Sequence, residues 1–227
     1  MKIPSFGLSI GQEITSFAQV PTKGADPTLE TQYTQTFATK FWQKNQDLGI
    51  LPPVVRSFSP DGLGWILERP PFQANISMKR DKEYSLPIPW TVYFIQLTSP
   101  VSVTVMCRNE QIYDETDELF VLPLSNMDSM GNVCMGKGLS MNIPGGWDLM
   151  TPPEKLAAVV NSFWTSTFNS DLSSHATYIR PGEWKLSSND IWGIYSHWQD
   201  LDIFQALKTN WTQSKQYPTV KHVIDTL

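Results

Sequence analysis

The 227-residue chain is 41% hydrophobic, enough for a packed core, which excludes a chain disordered throughout. Charged residues supply only 17%, below the ~25% of an average globular chain, while nine Trp, eleven Phe and seven Tyr give a 12% aromatic share, a balance that points to surface meeting a partner. The net charge of −5, with Met78-Lys79-Arg80-Asp81-Lys82 as the densest basic cluster, argues against electrostatic binding of nucleic acid.

Residues 1–25 are rich in Gly, Ser, Thr, Gln and Pro with scattered Phe6, Ile10, Ile14 and Phe17, which predicts an extended N-terminal arm ahead of a single domain over 26–227. Met1 to Gly7 leads into Gly, Ser, Gln and Glu instead of an apolar run, so no signal peptide is expected. The longest apolar stretches, such as Trp90 to Leu97, fall well short of the ~20 residues that span a bilayer. A soluble, cytoplasmic protein with no membrane partner is the expectation.

Asp26 before Pro27 reads as a helix cap, and Leu29, Tyr33, Phe37 and Phe41 recur every fourth residue, predicting a helix over about 27–47 that Gly49 and Leu51-Pro52-Pro53 end. The pattern then shortens to strands. Val54 to Phe58, a Ser59-Pro60-Asp61-Gly62 turn, Gly64 to Glu68 and Ala74 to Met78 precede a clearer pair, Thr91 to Leu97 and Val101 to Arg108, joined by Thr98-Ser99-Pro100. These tight spacings leave no room for crossover helices, so residues 53–108 read as an antiparallel meander of three or four strands.

Residues 109–150 hold few regular signals and many turn residues, which marks a candidate functional loop. Thr151-Pro152-Pro153-Glu154 then forms a capping box, and Leu156, Val159, Val160, Phe163, Trp164 and Thr167 follow at helical spacing to about Phe168. Leu201, Phe204, Leu207 and Trp211 predict a final helix over about 197–214, a C-terminal helical extension of the domain. Helix, meander, irregular loop and helix in that order make an α+β fold, an antiparallel β-meander flanked by helices.

Two cysteines, Cys107 and Cys134, are expected as reduced thiols, with Cys107 on the apolar Val101-Val103-Val105 face of its strand and therefore in the core. His175, His197 and His222 are not spaced as metal ligands, and the acidic run 114–118 lacks the alternation of a calcium loop, so neither metal nor other cofactor is expected. The Trp residues at 147, 164, 184, 192, 198 and 211 read as core or interface fillers.

The stretch Leu124-Ser125-Asn126-Met127-Asp128-Ser129-Met130-Gly131-Asn132-Val133-Cys134 resembles the active-site segment of ubiquitin-conjugating enzymes, in which a His-Pro-Asn tripeptide precedes a turn, a Gly, two residues and the catalytic Cys. Asn126 stands eight residues before Cys134, the family's usual separation, and Gly131 three before it. Downstream, Trp147 followed by the Thr151-Pro152 helix start is similar to the family's Trp-Ser-Pro segment, and Phe168-Asn169-Ser170-Asp171 to its Asn-Pro-x-Asp stretch. Leu124 and Ser125 replace the family His and Pro, the Cys134 to Trp147 separation is longer, and Pro87-Ile88-Pro89 is all that stands for the upstream Tyr-Pro-x-x-Pro-Pro pattern. Over residues 86–172 the chain looks closest to divergent bacterial relatives such as the plasmid PRTRC-system protein B group.

The resemblance implies a ubiquitin-conjugating-like fold and a thioester between Cys134 and the C-terminus of a ubiquitin-like modifier, received from an activating enzyme and passed to an amine. Asn126 would stabilise the oxyanion through its side-chain amide, and Asp128, Asp114 and Asp117 would form the environment of the acceptor lysine. Acidic runs are more often plain solvated loops, Asn126 has an ordinary use as a turn residue, and Cys134 one as a buried thiol at a strand end. The alternative keeps the fold without the chemistry: an inactive binding or assembly module, for example a part of a phage or other large particle, with protein partners and a place in the virion. Its support is the low charge, the arm and the missing His and Pro.

Overall fold

A computed structural model describes residues 54–59, 61–78, 82–134 and 147–226. The arm expected over 1–25 and the helix expected over 27–47 lie outside the described residues.

The described chain is a mixed α+β fold built on an antiparallel sheet. Six strands lie in the order β1-β2-β5-β6-β7-β8: β1 (Val54–Phe58), β2 (Gly64–Arg69), β5 (Trp90–Gln96), β6 (Ser102–Arg108), β7 (Phe120–Val121) and β8 (Thr212–Gln213). The strands β3 (Phe72–Met78) and β4 (Lys82–Ile88) pair with each other in a separate two-stranded sheet. The meander expected over 53–108 therefore holds as β1, β2, β5 and β6, with a hairpin inserted at its middle that contains a strand, β4, not expected from the sequence.

The insertion follows from proline placement. Arg69 faces Thr91 in the β2–β5 ladder and Phe72 faces Ile88 in the β3–β4 ladder, so three further steps along the first register lead into the second. Both ladders belong to the two arms of one long hairpin. Pro70 and Pro71 on one arm and Pro89 on the other cannot donate to a ladder, so pairing stops there and the distal half leaves the sheet. Beyond the break, Ala74, Ile76 and Met78 alternate with exposed Gln73, Asn75 and Ser77, as expected of a strand with one buried face. By contrast β2 is buried along its whole length, and β6 along all but Ser102.

The helix α1 (Pro152–Thr165) begins as expected, with the Thr151 backbone N–H donating to the Glu154 carboxylate at 2.9 Å. It packs against β3 and buries Leu156, Val159, Val160 and Phe163, while the half-buried Trp164 donates its ring N–H to the Tyr93 hydroxyl at 2.7 Å. Extended backbone at Ser166 ends the helix before Phe168, whose N–H instead donates to the Ser77 carbonyl at 2.8 Å along the edge of β3.

The helix expected over 197–214 is corrected. Asp190 caps an earlier helix, α3 (Ile191–Gln199), which follows α2 (Ser173–Ile179). Asp202 then caps the short α4 (Ile203–Ala206) in a reciprocal box with Gln205 at 2.8 Å, and the chain turns into β8. Local capping oxygens at Asp190 and Asp202 win over the apolar stripe; Phe204, placed on that stripe, is 73% exposed. Trp184, Trp198 and Trp211 converge with ring centroids 5.3–5.8 Å apart, and the Trp198 ring N–H reaches the Pro87 carbonyl at 2.9 Å. The C-terminal α5 (Val220–Ile224) packs beside the acidic loop, with Val220 N–H donating to the Asp117 carbonyl at 3.0 Å.

Candidate thiol site at a hairpin on the sheet edge

The outer edge of β6 is shared by two segments. At its Arg108 end it pairs with β7, Cys107 opposite Phe120. At its Val103 end it pairs with residues 131–133: Val105 N–H donates to the Gly131 carbonyl and Val133 N–H to the Val103 carbonyl, each at 2.9 Å, with Thr104 facing Asn132. Between these attachments residues 122–130 swing away and return.

The return is a tight hairpin. Met127 faces Val133, flanked by Asp128 N–H to the Asn132 carbonyl at 3.0 Å and Cys134 N–H to the Asn126 carbonyl at 2.9 Å. That register sets the Asn126 backbone opposite that of Cys134, while Asn126 is itself the third residue of a turn that Met127 N–H closes on the Leu124 carbonyl at 3.2 Å. The two residues that the sequence singles out are brought together by backbone pairing alone.

Asp128 builds the turn. Its Oδ1 accepts the N–H groups of Met130 at 2.8 Å and Asn132 at 2.9 Å, its Oδ2 accepts the Asn132 side-chain amide at 3.0 Å, and its carbonyl accepts Gly131 N–H at 3.1 Å. Gly131 follows at φ 89°, where a Cβ would come within 2.8 Å of the Val105 carbonyl oxygen. Gly131, three residues before Cys134, is thus the point where the hairpin lies against β6.

Two helix side chains hold the excursion from its other side. The Ser125 N–H donates to the Tyr195 hydroxyl of α3 at 2.9 Å, and burial pushes that phenol up to about 12. The Ser129 N–H donates to His175 Nδ1 of α2 at 3.2 Å. Leu124 and Ser125, standing where the resembled motif has other residues, are both fully buried.

Exposure separates the two candidate residues. Cys134 is exposed, whereas Asn126 is only 7% exposed and its Oδ1 is buried without a hydrogen-bond partner. Cys107 is fully buried, and loss of solvent pushes its thiol well above the ordinary range, so among the two cysteines only Cys134 is accessible.

The acidic residues expected around an acceptor lysine lie in two places. Asp128 belongs to the Cys134 hairpin, with both carboxylate oxygens engaged in the turn. Asp117 accepts the N–H groups of Tyr113 at 2.7 Å and Asp114 at 3.0 Å and faces the Arg108 guanidinium at 3.2 Å. Asp114 accepts the Thr116 N–H and hydroxyl, which hold its carboxyl below the usual range. Both therefore hang from the Arg108 end of β6, and Arg108 and Val103 are about 17 Å apart at strand rise.

His175 is the neighbour that sequence reading missed, because it lies 46 residues from Ser129 and only the packing of α2 brings it to the turn. Among the described residues no group of His, Cys, Asp and Glu side chains could hold a metal ion, and no helix is long and apolar enough to cross a membrane. No family model, curated protein or solved structure matches the chain.

Proposed function

We propose that the protein is a ubiquitin-conjugating-like acyl carrier in which Cys134 holds the C-terminus of a ubiquitin-like modifier as a thioester. The observation that carries this reading is the 126–134 hairpin, which presents an exposed thiol on a residue whose backbone N–H bonds the Asn126 carbonyl, on the edge of an antiparallel sheet. In the first step the Cys134 sulfur attacks the thioester carbonyl on the activating enzyme, and that enzyme's cysteine leaves as thiol. In the second an amine attacks the Cys134 thioester, an amide forms, and Cys134 departs with its electron pair to be protonated. Asn126 stands beside Cys134 in the backbone pairing, and its side-chain N–H, turned out from its buried place, is the group that would donate to the developing oxyanion.

A second reading, an inactive binding or assembly module of the same fold, draws on the burial of that same amide: a side chain 7% exposed serves packing as well as chemistry. One experiment separates them. With ATP, the cognate activating enzyme and its modifier, wild-type protein should form an adduct cleaved by reductant, Cys134→Ser an oxyester resistant to it, and Cys107→Ser the wild-type adduct. Asn126→Ala should still charge but discharge to lysine roughly 10²-fold more slowly. Absence of any reducible adduct, together with a stable protein assembly that survives Cys134→Ser, would establish the module instead.

A further inference from the structure

We propose that His175 is a positioning residue for the Cys134 hairpin, an inference about reactivity that rests on the acyl-carrier reading and about geometry that does not. Within the turn Asp128–Gly131 three backbone amides bond inside the hairpin: Asp128 to the Asn132 carbonyl, Met130 to the Asp128 carboxylate and Gly131 to the Asp128 carbonyl. Ser129 alone donates to another element, His175 Nδ1 at 3.2 Å. An imidazole that accepts at Nδ1 carries its proton on Nε2, so the ring is fixed in one tautomer by this contact.

The contact matters because of what lies on the other side. Gly131, two residues on, is pressed against the Val105 carbonyl of β6, and the pairing that orients Cys134 starts at the next residue, Asn132. The turn is therefore gripped between β6 and α2, with His175 supplying the α2 side. The second helix contact, Tyr195 to Ser125, lies in the core, whereas His175 is only half-buried and can be replaced without emptying a large volume. His175 touches no reacting atom in this scheme. It sets where the thiol stands.

Three variants test this: His175→Leu removes the acceptor, His175→Asn returns an oxygen at the place of Nδ1, and Ser129→Pro removes the donor. Proline suits Ser129 because that residue is second in the Asp128–Gly131 turn, where proline is favoured. In His175→Leu the Ser129 amide should exchange with solvent roughly 2- to 10-fold faster by NMR, the span expected for one lost hydrogen bond, and Cys134 should change its alkylation rate by iodoacetamide and its acyl-transfer rate by a similar factor. His175→Asn should restore all three. In a Ser129→Pro background His175→Leu should add nothing to the change in alkylation. Equal Ser129 exchange in wild type and His175→Leu, or an effect of His175→Leu undiminished by Ser129→Pro, would overturn the proposal. Exchange and alkylation do not depend on a modifier, so a protein that forms no thioester yet shows the expected pattern refutes the carrier reading and leaves the positioning role standing.

Discussion

The two ends of β6 attach their outer neighbours by different means. At the Arg108 end the neighbour is fixed by buried charge. Arg108 donates to the Glu110 carbonyl at 3.1 Å and the Glu118 carbonyl at 2.6 Å and pairs with Asp117, while Glu68, two strands away on β2, pairs with Arg56 and accepts the Ile112 N–H. At the Val103 end there is no ion pair of this kind among the described residues, and the neighbour is held by a glycine fit, an aspartate turn and two aromatic side chains. One end closes the sheet; the other presents a thiol. A long-range ionic clamp suits a segment that must not move, and a locally bonded hairpin suits a residue that must be reached.

The largest effect expected is at the closed end. Glu68 is fully buried, and loss of solvent raises its carboxyl although the Arg56 charge opposes that rise. Glu68→Ala removes the carboxylate from Arg56, itself 4% exposed, and from the Ile112 amide, at a cost of about 3–5 kcal/mol for a broken buried pair. Chemical denaturation should show that loss, while alkylation of Cys134 in the folded protein stays at the wild-type rate. A Cys134 rate that moves with Glu68 would show that the two ends are not separate.

The next effect falls on the thiol end. Gly131→Ala combines a left-handed φ of 89° with a Cβ 2.8 Å from the Val105 oxygen and 3.0 Å from the Met106 side chain. Gly62, at φ 71° in the β1–β2 turn, has nothing within 4 Å of the place a Cβ would take, so Gly62→Ala isolates the backbone contribution. We expect about 1–2 kcal/mol for Gly62→Ala and about 2–4 kcal/mol for Gly131→Ala, with altered Cys134 alkylation only in the latter. Equal costs would mean that the hairpin shifts away from β6 freely and that the grip at Gly131 is weak.

These contrasts also explain how much is legible in the sequence. Alternation and turn residues locate β1, β2, β5 and β6, and the capping box locates the start of α1, because each of those signals is local. The inserted hairpin is only half legible: Pro70, Pro71 and Pro89 are visible, yet their effect depends on standing opposite one another in the register. The 197–214 helix does not form because the caps at Asp190 and Asp202 outweigh the apolar stripe that predicts it. At the site, the sequence marks residues 109–150 only as a loop, and the hairpin over 126–134 depends on pairing with β6 that no local signal announces. Proximity along the chain suggests Asp114 and Asp117 near Asp128, whereas they attach at opposite ends of β6, which only the register of that strand decides. His175 has no local signal at all.

The smallest effect expected sharpens the comparison from behind the hairpin. Asp190 caps α3, its Oδ1 accepting the Gly193 N–H at 2.9 Å and the Ser188 hydroxyl at 2.6 Å, and these bonds hold its carboxyl below the usual range. A depressed native pKa contributes stability that is complete above the unfolded value and is lost as pH falls through the native one, so the contribution should persist at neutral pH and fade below about pH 4. Asp190→Ala should cost about 1 kcal/mol at pH 7 and progressively less on acidification, whereas Asp190→Asn, a good cap without a titrating proton, should keep most of the stability and flatten its pH dependence. Because α3 carries Tyr195, whose hydroxyl receives the Ser125 N–H, fraying of its first turn should reach Cys134 only weakly, as a change in alkylation smaller than that of Gly131→Ala. If Asp190→Ala instead altered the thiol as much as Gly131→Ala does, the hairpin would depend on the helices as strongly as on β6, and the local character assigned to that end of the strand would be wrong.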